Sequence, residues 1–444
     1  MGAWSLMRSL SRDQRYTFLA SFLGWSLDAF DFFLVTFVTL RIAKEFNVGL
    51  PAVLFAVTLT LAMRPVGALI FGILADRFGR RTPLMIDITL YSILELLTAF
   101  SPNYAVFLLL RALFGIGMGG EWGLGAALAM ESLPTEARGF FSGILQQGYA
   151  FGYLLAAIVY GVLFTLFPSM SWRVLFVVGV LPALLVVFIR MGVHESPVWE
   201  HKQAVRSQTG GSVWGGIGMA IKSRPWLFIY VIILMTAFNS LSHGTQDAYP
   251  TFLQKQLGLA ASATSIITII ANIGAICGGM LFGYYSQRWG RRRAIMIAAA
   301  LGILMIPFWS GLLRLPVVQL LTSIAIGAFL LQFMVQGAWG VIPVHLNELS
   351  PTDVRGTFPG FAYQLGNLFA SFIVTIEAIV ANNLGTVTSP NYGLALALFS
   401  LGAFLAVIIL AAIGREAKGI DFIKESDEEM AAEAAAIVQP SSGE

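Results

Sequence analysis

An imidazole, a carboxylate, two amides and five hydroxyls crowd into Asn239-Ser-Leu-Ser-His-Gly-Thr-Gln-Asp-Ala-Tyr-Pro-Thr251, just beyond the apolar run Leu227-Phe-Ile-Tyr-Val-Ile-Ile-Leu-Met235 and the short link Thr236-Ala-Phe238. Ionisable groups within such a run are costly, which makes them markers of a pathway or a coupling site. Asp28 and Asp31 raise the same question in another apolar stretch. Three residues apart, they share one helical face. Two carboxylates in a dry site repel when both are ionised, which leaves one available to hold a proton. The competing role is structural capping or pairing.

Arg64 sits well inside the run Leu59 to Gly67 and stays charged, so its planar fork needs a carboxylate. That carboxylate is either a bound anion's or the side chain of Asp28 or Asp31. Arg111 has the same need, and Asp31 is the expected partner. Glu121, ten residues on, is either a second proton stop or a structural partner. Between them Gly115-Ile-Gly-Met-Gly-Gly120 matches GxGxxG in form, but it follows no strand, so close helix packing is the expected cause. Gln364 and Asn367 share a face and can either donate to a carboxylate or hydroxyl, or join helices. Gln332 and Gln336 are weaker cavity candidates, and the facing of Asp87, Glu95 and Glu377 is not fixed by spacing.

These groups must be held by membrane helices. The 444 residues are 57% hydrophobic and 11% charged, with a mean hydropathy of +0.78; about 25% charged is usual in a soluble domain. Unbroken apolar runs of helix-spanning length exclude a β-barrel. The 45 glycines suit close helix approach. The single cysteine, Cys277, excludes an internal disulfide, and four scattered histidines lack zinc-site spacing. No GxxxxGK loop or GxSxG elbow occurs, so nucleotide-binding and hydrolase signals are missing. No enzyme activity, cofactor, metal or nucleic-acid partner is expected, and no cleaved signal peptide is read in residues 1–16.

Twelve spans are predicted, near 17–40, 52–73, 83–100, 104–126, 140–166, 174–191, 226–249, 264–285, 294–313, 317–341, 357–381 and 392–413. Basic residues favour alternate loops, with Arg77, Arg80, Arg81, Arg138, Arg190, Arg288, Arg291 to Arg293 and Arg355 on one side. The positive-inside rule makes that side, and both termini, cytoplasmic. The polar break at 192–225 separates an N-terminal six-helix half (1–191) from a C-terminal one (226–414), and the acidic tail 415–444 is expected to be solvated, as a short helix or disorder.

Internal repeats join the two halves. Gly72-Ile-Leu-Ala-Asp-Arg-Phe-Gly-Arg-Arg81 recurs 211 residues later as Gly283-Tyr-Tyr-Ser-Gln-Arg-Trp-Gly-Arg-Arg292, and Glu131 to Gly139 recurs 217 residues later as Glu348 to Gly356. Gly143 and Gln147 fall on Gly360 and Gln364 at the second offset. The fold expected is an all-α membrane protein, twelve transmembrane helices in two pseudo-symmetric halves.

With its GxLxDRxGRR block, the chain resembles the major facilitator superfamily over residues 15–415. The resemblance implies alternating access around a central site. Asp76, Arg77, Arg80, Arg138, Arg288, Arg292 and Arg355 are then the expected cytoplasmic gate, and Gln287 in place of a second aspartate implies a weaker or differently paired second latch. Asp31 becomes the favoured coupling carboxylate, with Asp28, Glu121 and Arg111 beside it.

The polar run matches N-x-x-[S/T]-H-x-[S/T]-Q-D-x-x-x-T at Asn239, Ser242, His243, Thr245, Gln246, Asp247 and Thr251. It resembles the signature of the lactate/pyruvate permeases within the sialate:proton symporter family. That resemblance implicates His243 and Asp247 in proton and substrate translocation, Asn239 in the same path, and Gln364 and Asn367 in carboxylate binding; Arg64 joins them on the guanidinium argument above. It implies a proton-coupled carrier of small monocarboxylates in the cell membrane, functional as a monomer. A carrier of sialic or aromatic acids is the alternative, and a non-transporting sensor is a third. Pro250 implies a broken helix at the outer end of span seven, read as an outer gate and coupling element.

Overall fold

A computed structural model describes residues 5–6, 8, 10–167, 169–209, 222–259, 261–313, 319–386, 389–428 and 431. Among the described residues, eighteen helices build the two halves and the stretch between them. In the first half they are α1 (Arg12–Glu45), α2 (Leu50–Phe78), α3 (Arg81–Ala99), α4 (Tyr104–Met118), α5 (Glu121–Ser132), α6 (Arg138–Gln146), α7 (Gly148–Leu166), α8 (Arg173–Val178) and α9 (Ala183–Gly192). Between the halves lies α10 (Pro197–Thr209). The second half has α11 (Pro225–Gln246), α12 (Ala261–Trp289), α13 (Arg291–Trp309), α14 (Leu320–Trp339), α15 (Ile342–Leu349), α16 (Phe358–Ala370), α17 (Ile373–Leu384) and α18 (Tyr392–Ile413). Among the described residues, eleven helical segments are long and apolar enough to cross a membrane, with α4/α5, α6/α7, α8/α9 and α14/α15 pairing as single segments. The protein is a multi-pass membrane protein of two pseudo-symmetric halves.

The eleventh predicted span, 357–381, differs from expectation in being split. Ser371 turns its hydroxyl back onto the Leu368 carbonyl at 2.7 Å, and a bonded turn at 371–372 divides α16 from α17. Span seven breaks as predicted: α11 ends at Gln246, and after Asp247 and Ala248 the chain resumes as a helical turn at Tyr249–Thr251 and a π-helical turn at Phe252–Gln256.

Glycines in span four pack α4 against α2. A Cβ at Gly115 would fall 2.2 Å from the Thr60 carbonyl oxygen, and one at Gly119 would fall 2.1 Å from that of Arg64. The GxGxxG-like run is thus a helix contact, and it holds the Arg64 backbone in place.

At the ends of the helices that carry the basic loops, here called the basic face, the two repeats are built alike. Arg80 forks onto Glu131 at 3.1 and 3.0 Å, and Arg291 onto Glu348 at 2.8 and 3.0 Å. Gly79 and Gly290 have φ of 91° and 94°, a region open to glycine. Those turns let Glu195 accept from the Arg80 and Arg81 amides at 2.7 and 3.0 Å, and Glu416 from the Arg291 and Arg292 amides, both at 3.1 Å. Burial pushes the Glu195 carboxyl up from its ordinary value, against the three amides that donate to it.

One gate expectation needs correction here, and one tail expectation holds only in part. Arg291, which the repeat aligns with Arg80, makes the second-half ion pair, whereas Arg292, expected in the gate, caps α18, donating to the Ala411 and Ala412 carbonyls. Most described residues of the tail are exposed and 422–428 is a short helix, as expected, but Ala417, Phe422 and Ser426 are buried. Phe422 is 1% exposed, its ring lying 3.7 Å from the Arg138 guanidinium and 4.0 Å from that of Arg355. Glu425 pairs with Arg355 at 2.6 Å. A phenylalanine beneath two guanidiniums gains apolar burial and cation–π attraction together, which acidity alone did not reveal. Parts of two sequence segments, 210–221 of the linker and 432–444 of the tail, lie outside the described residues.

Candidate functional site

Between the halves lies a cavity of about 300 Å³. Arg64 reaches it from α2, where it is the only Arg or Lys among the described lining residues. Its Nη2 donates to Asp28 Oδ2 at 2.6 Å, and both side chains are almost fully buried. Arg64 Nε and Asp28 Oδ1 have no partner among the described residues. The guanidinium is held by one acid and retains donor capacity toward the cavity.

The polar run supplies the opposite wall. Asn239, Ser242, His243, Thr245, Gln246 and Asp247 all line the cavity. His243 Nδ1 faces Asp247 Oδ2 and its Nε2 faces Asn367 Oδ1, each at 2.8 Å. Two oxygen acceptors suit an imidazole with both nitrogens protonated. Asn239 donates instead to the Met235 and Tyr363 carbonyls at 2.8 and 3.3 Å. Gln332 and Gln336 also line the cavity, and Gln332 accepts from Gln246 at 3.0 Å.

Other expected site residues lie elsewhere. Asn367 lines the cavity, but Gln364 does not; it is 1% exposed, and both its amide atoms lack a partner among the described residues. Asp31, Glu121 and Arg111 are fully buried behind the wall. Arg111 corrects the pairing expected for it: Nη1 donates to Glu95 at 2.7 Å, not to Asp31. Glu95 comes from α3, whose facing the spacing left open. Glu377 is buried beside Gly244 and outside the cavity.

Sequence reasoning missed the aromatic shell. Tyr149, Tyr153, Trp309, Trp339 and Tyr363 line the cavity, as does Gln147. Only Gln147 had a signal, its repeat relation to Gln364. Tyr363 stacks on Trp122 across the halves at 4.6 Å, with Trp339 and Trp25 at 5.7 and 6.4 Å. This aromatic floor separates the cavity from the basic face.

Below the floor, the halves are bolted together. Asp76 accepts from the Gly356 amide at 2.7 Å, the Thr357 amide at 3.0 Å and the Thr357 hydroxyl at 2.7 Å. Ser142 donates to the Gly340 carbonyl at 2.8 Å and accepts from the Val344 amide at 3.1 Å. In the second repeat Gln287 donates to the Thr135 carbonyl at 2.9 Å and accepts from Arg291, a different pairing from that of Asp76. Lys202 of α10 bonds Asp353, and Arg138 donates to the Ile420 carbonyl at 2.8 Å. Arg77 and Arg288 are exposed, lying over Phe78 and Tyr284, away from this bolt.

Asp76→Ala removes three charge-assisted bonds, so the closed basic face should lose about 2 kcal/mol, roughly a 30-fold shift in population. Spin labels at Arg77→Cys and Arg288→Cys, in a Cys277→Ser background, should report a longer distance in the variant. An unchanged distance distribution would remove Asp76 from the latch.

The sequence profile of the Major Facilitator Superfamily matches residues 17–375. The chain belongs to the major facilitator superfamily. Its function is therefore transport rather than catalysis. The chain is 31% identical to a carboxylic acid transporter protein homolog of Saccharomyces cerevisiae, over 90% of this chain and 68% of that one. A probable 4-methylmuconolactone transporter of Cupriavidus pinatubonensis is 29% identical over 100% and 99% of the two chains. The sialic acid transporter NanX of Escherichia coli is 26% identical over 94% and 97%. In fold, the chain is similar to the proton:xylose symporter XylE, with a TM-score of 0.71 over 94% and 99% of the chains at 20% identity. The bolted basic face and aromatic floor are how this superfamily member closes one side of its central cavity.

Proposed function

We propose that the protein is a proton-coupled symporter of small monocarboxylates such as lactate and pyruvate, working by alternating access as a monomer in the cell membrane. The basic face is cytoplasmic by the positive-inside rule. The bolted conformation is then open toward the outside, and the observation that carries the reading is the Asp28–Arg64 pair at 2.6 Å, in which Arg64 lines the cavity and Asp28 is buried behind it. A cargo carboxylate and an ionised Asp28 cannot both occupy one buried guanidinium without leaving an uncompensated negative charge. When Asp28 takes a proton, it releases Arg64 to fork onto the cargo, and the loaded site becomes neutral. Asn367 and the His243–Asp247 pair offer donors for the cargo's hydroxyl or keto oxygen. Neutrality lets the cavity close, after which the Asp76 latch opens and proton and anion leave inside.

One lining guanidinium favours one carboxylate, and the printed name of the yeast relative agrees with that class. The match of the polar run to the lactate/pyruvate signature supports three-carbon cargo. A larger or aromatic acid is the second reading, supported by the 300 Å³ volume and by the rings of Tyr149, Tyr153 and Trp309. Proteoliposomes with an imposed inward pH gradient test both, with labelled lactate and unlabelled pyruvate, acetate, benzoate and sialic acid as competitors. Lactate accumulation blocked by pyruvate is expected; accumulation only of benzoate or sialic acid would establish the second reading instead.

A further inference from the structure

A carboxylate has about four lone-pair positions, and one guanidinium fork fills two of them. Once closure drives water from the cavity, the other two need donors, because a buried anion short of hydrogen bonds is costly. Asn367, His243 and Asp247 form a chain of 2.8 Å contacts and serve the cargo's hydroxyl or keto oxygen. Two phenols are placed to serve its carboxylate. Tyr149 of α7 and Tyr363 of α16 line the cavity, one from each half. Their oxygens lie within electrostatic reach of the Arg64 guanidinium and of one another. Neither hydroxyl has a hydrogen-bond partner among the described residues. What is fixed instead is each ring. Tyr149 meets Trp25 at 5.7 Å and Phe33 at 5.3 Å. Tyr363 is stacked on Trp122 and edged by Trp25 and Trp339. A ring held by its neighbours, with its hydroxyl free, is a pre-set donor that loses little freedom on binding.

The two phenols differ in what moves with them. Arg64 and Tyr149 belong to the first half and stay together through the cycle. Tyr363 belongs to the second half, yet its ring leans on Trp122 of α5 and Trp25 of α1. That stack lies in the floor, so it has to part when the basic face opens. We propose that the Tyr149 and Tyr363 hydroxyls donate to the cargo carboxylate beside Arg64, Tyr149 as a constant member of the site and Tyr363 as the donor that ties the anion to the second half. The inference rests on the monocarboxylate-symport reading above. The bound anion joins the halves and so draws the outer side together. Opening of the basic face then carries Tyr363 off Trp122 and takes one donor from the anion, which loosens it for release inside.

Tyr149→Phe and Tyr363→Phe test this, because they keep the rings and remove only the hydroxyls. Labelled lactate is the probe, bound at equilibrium to the full-length carrier at pH 5. Closure is read as the distance between spin labels at Lys44→Cys and Lys255→Cys, both exposed on the outer side, in a Cys277→Ser background. Each phenylalanine variant should bind lactate about tenfold more weakly, the loss of one neutral donor to a charged acceptor. At saturating lactate the outer distance should shorten in wild type and Tyr149→Phe, whereas Tyr363→Phe should keep its cargo-free distance. Unchanged affinity in either variant, no shortening in wild type, or full shortening in Tyr363→Phe would overturn the inference and leave the symport reading standing. Failure of wild type to bind lactate at all would instead overturn the cargo reading, and this inference with it.

Discussion

Arg64→Ala is expected to lower uptake of the cargo acid by about 100-fold or more, the effect of about 3 kcal/mol for truncating one partner of a buried charge pair. Two losses combine. The cargo carboxylate loses its guanidinium, and Asp28, 1% exposed, is left as an uncompensated charge. The two losses separate in the double variant Arg64→Ala with Asp28→Asn, which removes the orphan charge. It should restore the yield of monodisperse protein on size-exclusion chromatography without restoring uptake. Arg64→Lys should recover part of the binding, since an ammonium is a point charge without the planar fork. Uptake by Arg64→Ala with an unchanged half-saturation concentration would remove Arg64 from the binding site.

Asp28→Asn is the second large expected effect, with the opposite sign at high pH. In wild type a rising pH removes the Asp28 proton, the carboxylate returns to Arg64, and cargo affinity falls by up to about tenfold per pH unit, as expected when one proton is linked to binding. The asparagine variant has no acid to compete for Arg64. Its cargo affinity, measured by equilibrium binding from pH 5 to pH 9, should therefore be flat. It should also exceed that of wild type at the alkaline end. A wild-type slope retained in Asp28→Asn would assign the linked proton to another group, His243 and Asp247 foremost.

The architecture was legible because the bilayer restricts what a chain can do. Apolar runs, alternate basic loops and the repeats at 77/288 and 138/355 identify helices, one basic face and two halves. Intramembrane charges stand out for the same reason, so Asp28, Arg64, Arg111 and His243 could be singled out without coordinates. Their partners could not. A membrane helix is apolar on its lipid-facing and core-facing sides alike, so periodicity carries little information about facing. That is why Glu95 was left unassigned and Arg111 was paired with Asp31. The aromatic floor around Tyr363 escaped for a related reason, since tryptophan and tyrosine in an apolar run mark no position by themselves. The tail was legible only in part: its acidic residues read as solvated, and Glu416, Asp421, Asp427 and Glu428 are exposed, while Phe422 had no periodic context to mark it as a plug beneath Arg138 and Arg355. Gln364 followed its neighbour Asn367 in the helical pattern, yet only Asn367 reaches the cavity.

The central claim is that cargo binding and Asp28 protonation are one event, and the most direct measurement counts the protons. Calorimetric titration of purified carrier with its cargo acid, repeated in buffers of different ionisation enthalpy at neutral pH, gives the protons taken up per anion bound. The account predicts close to one for wild type and close to zero for Asp28→Asn at similar cargo occupancy. Equal proton uptake by both proteins would contradict it.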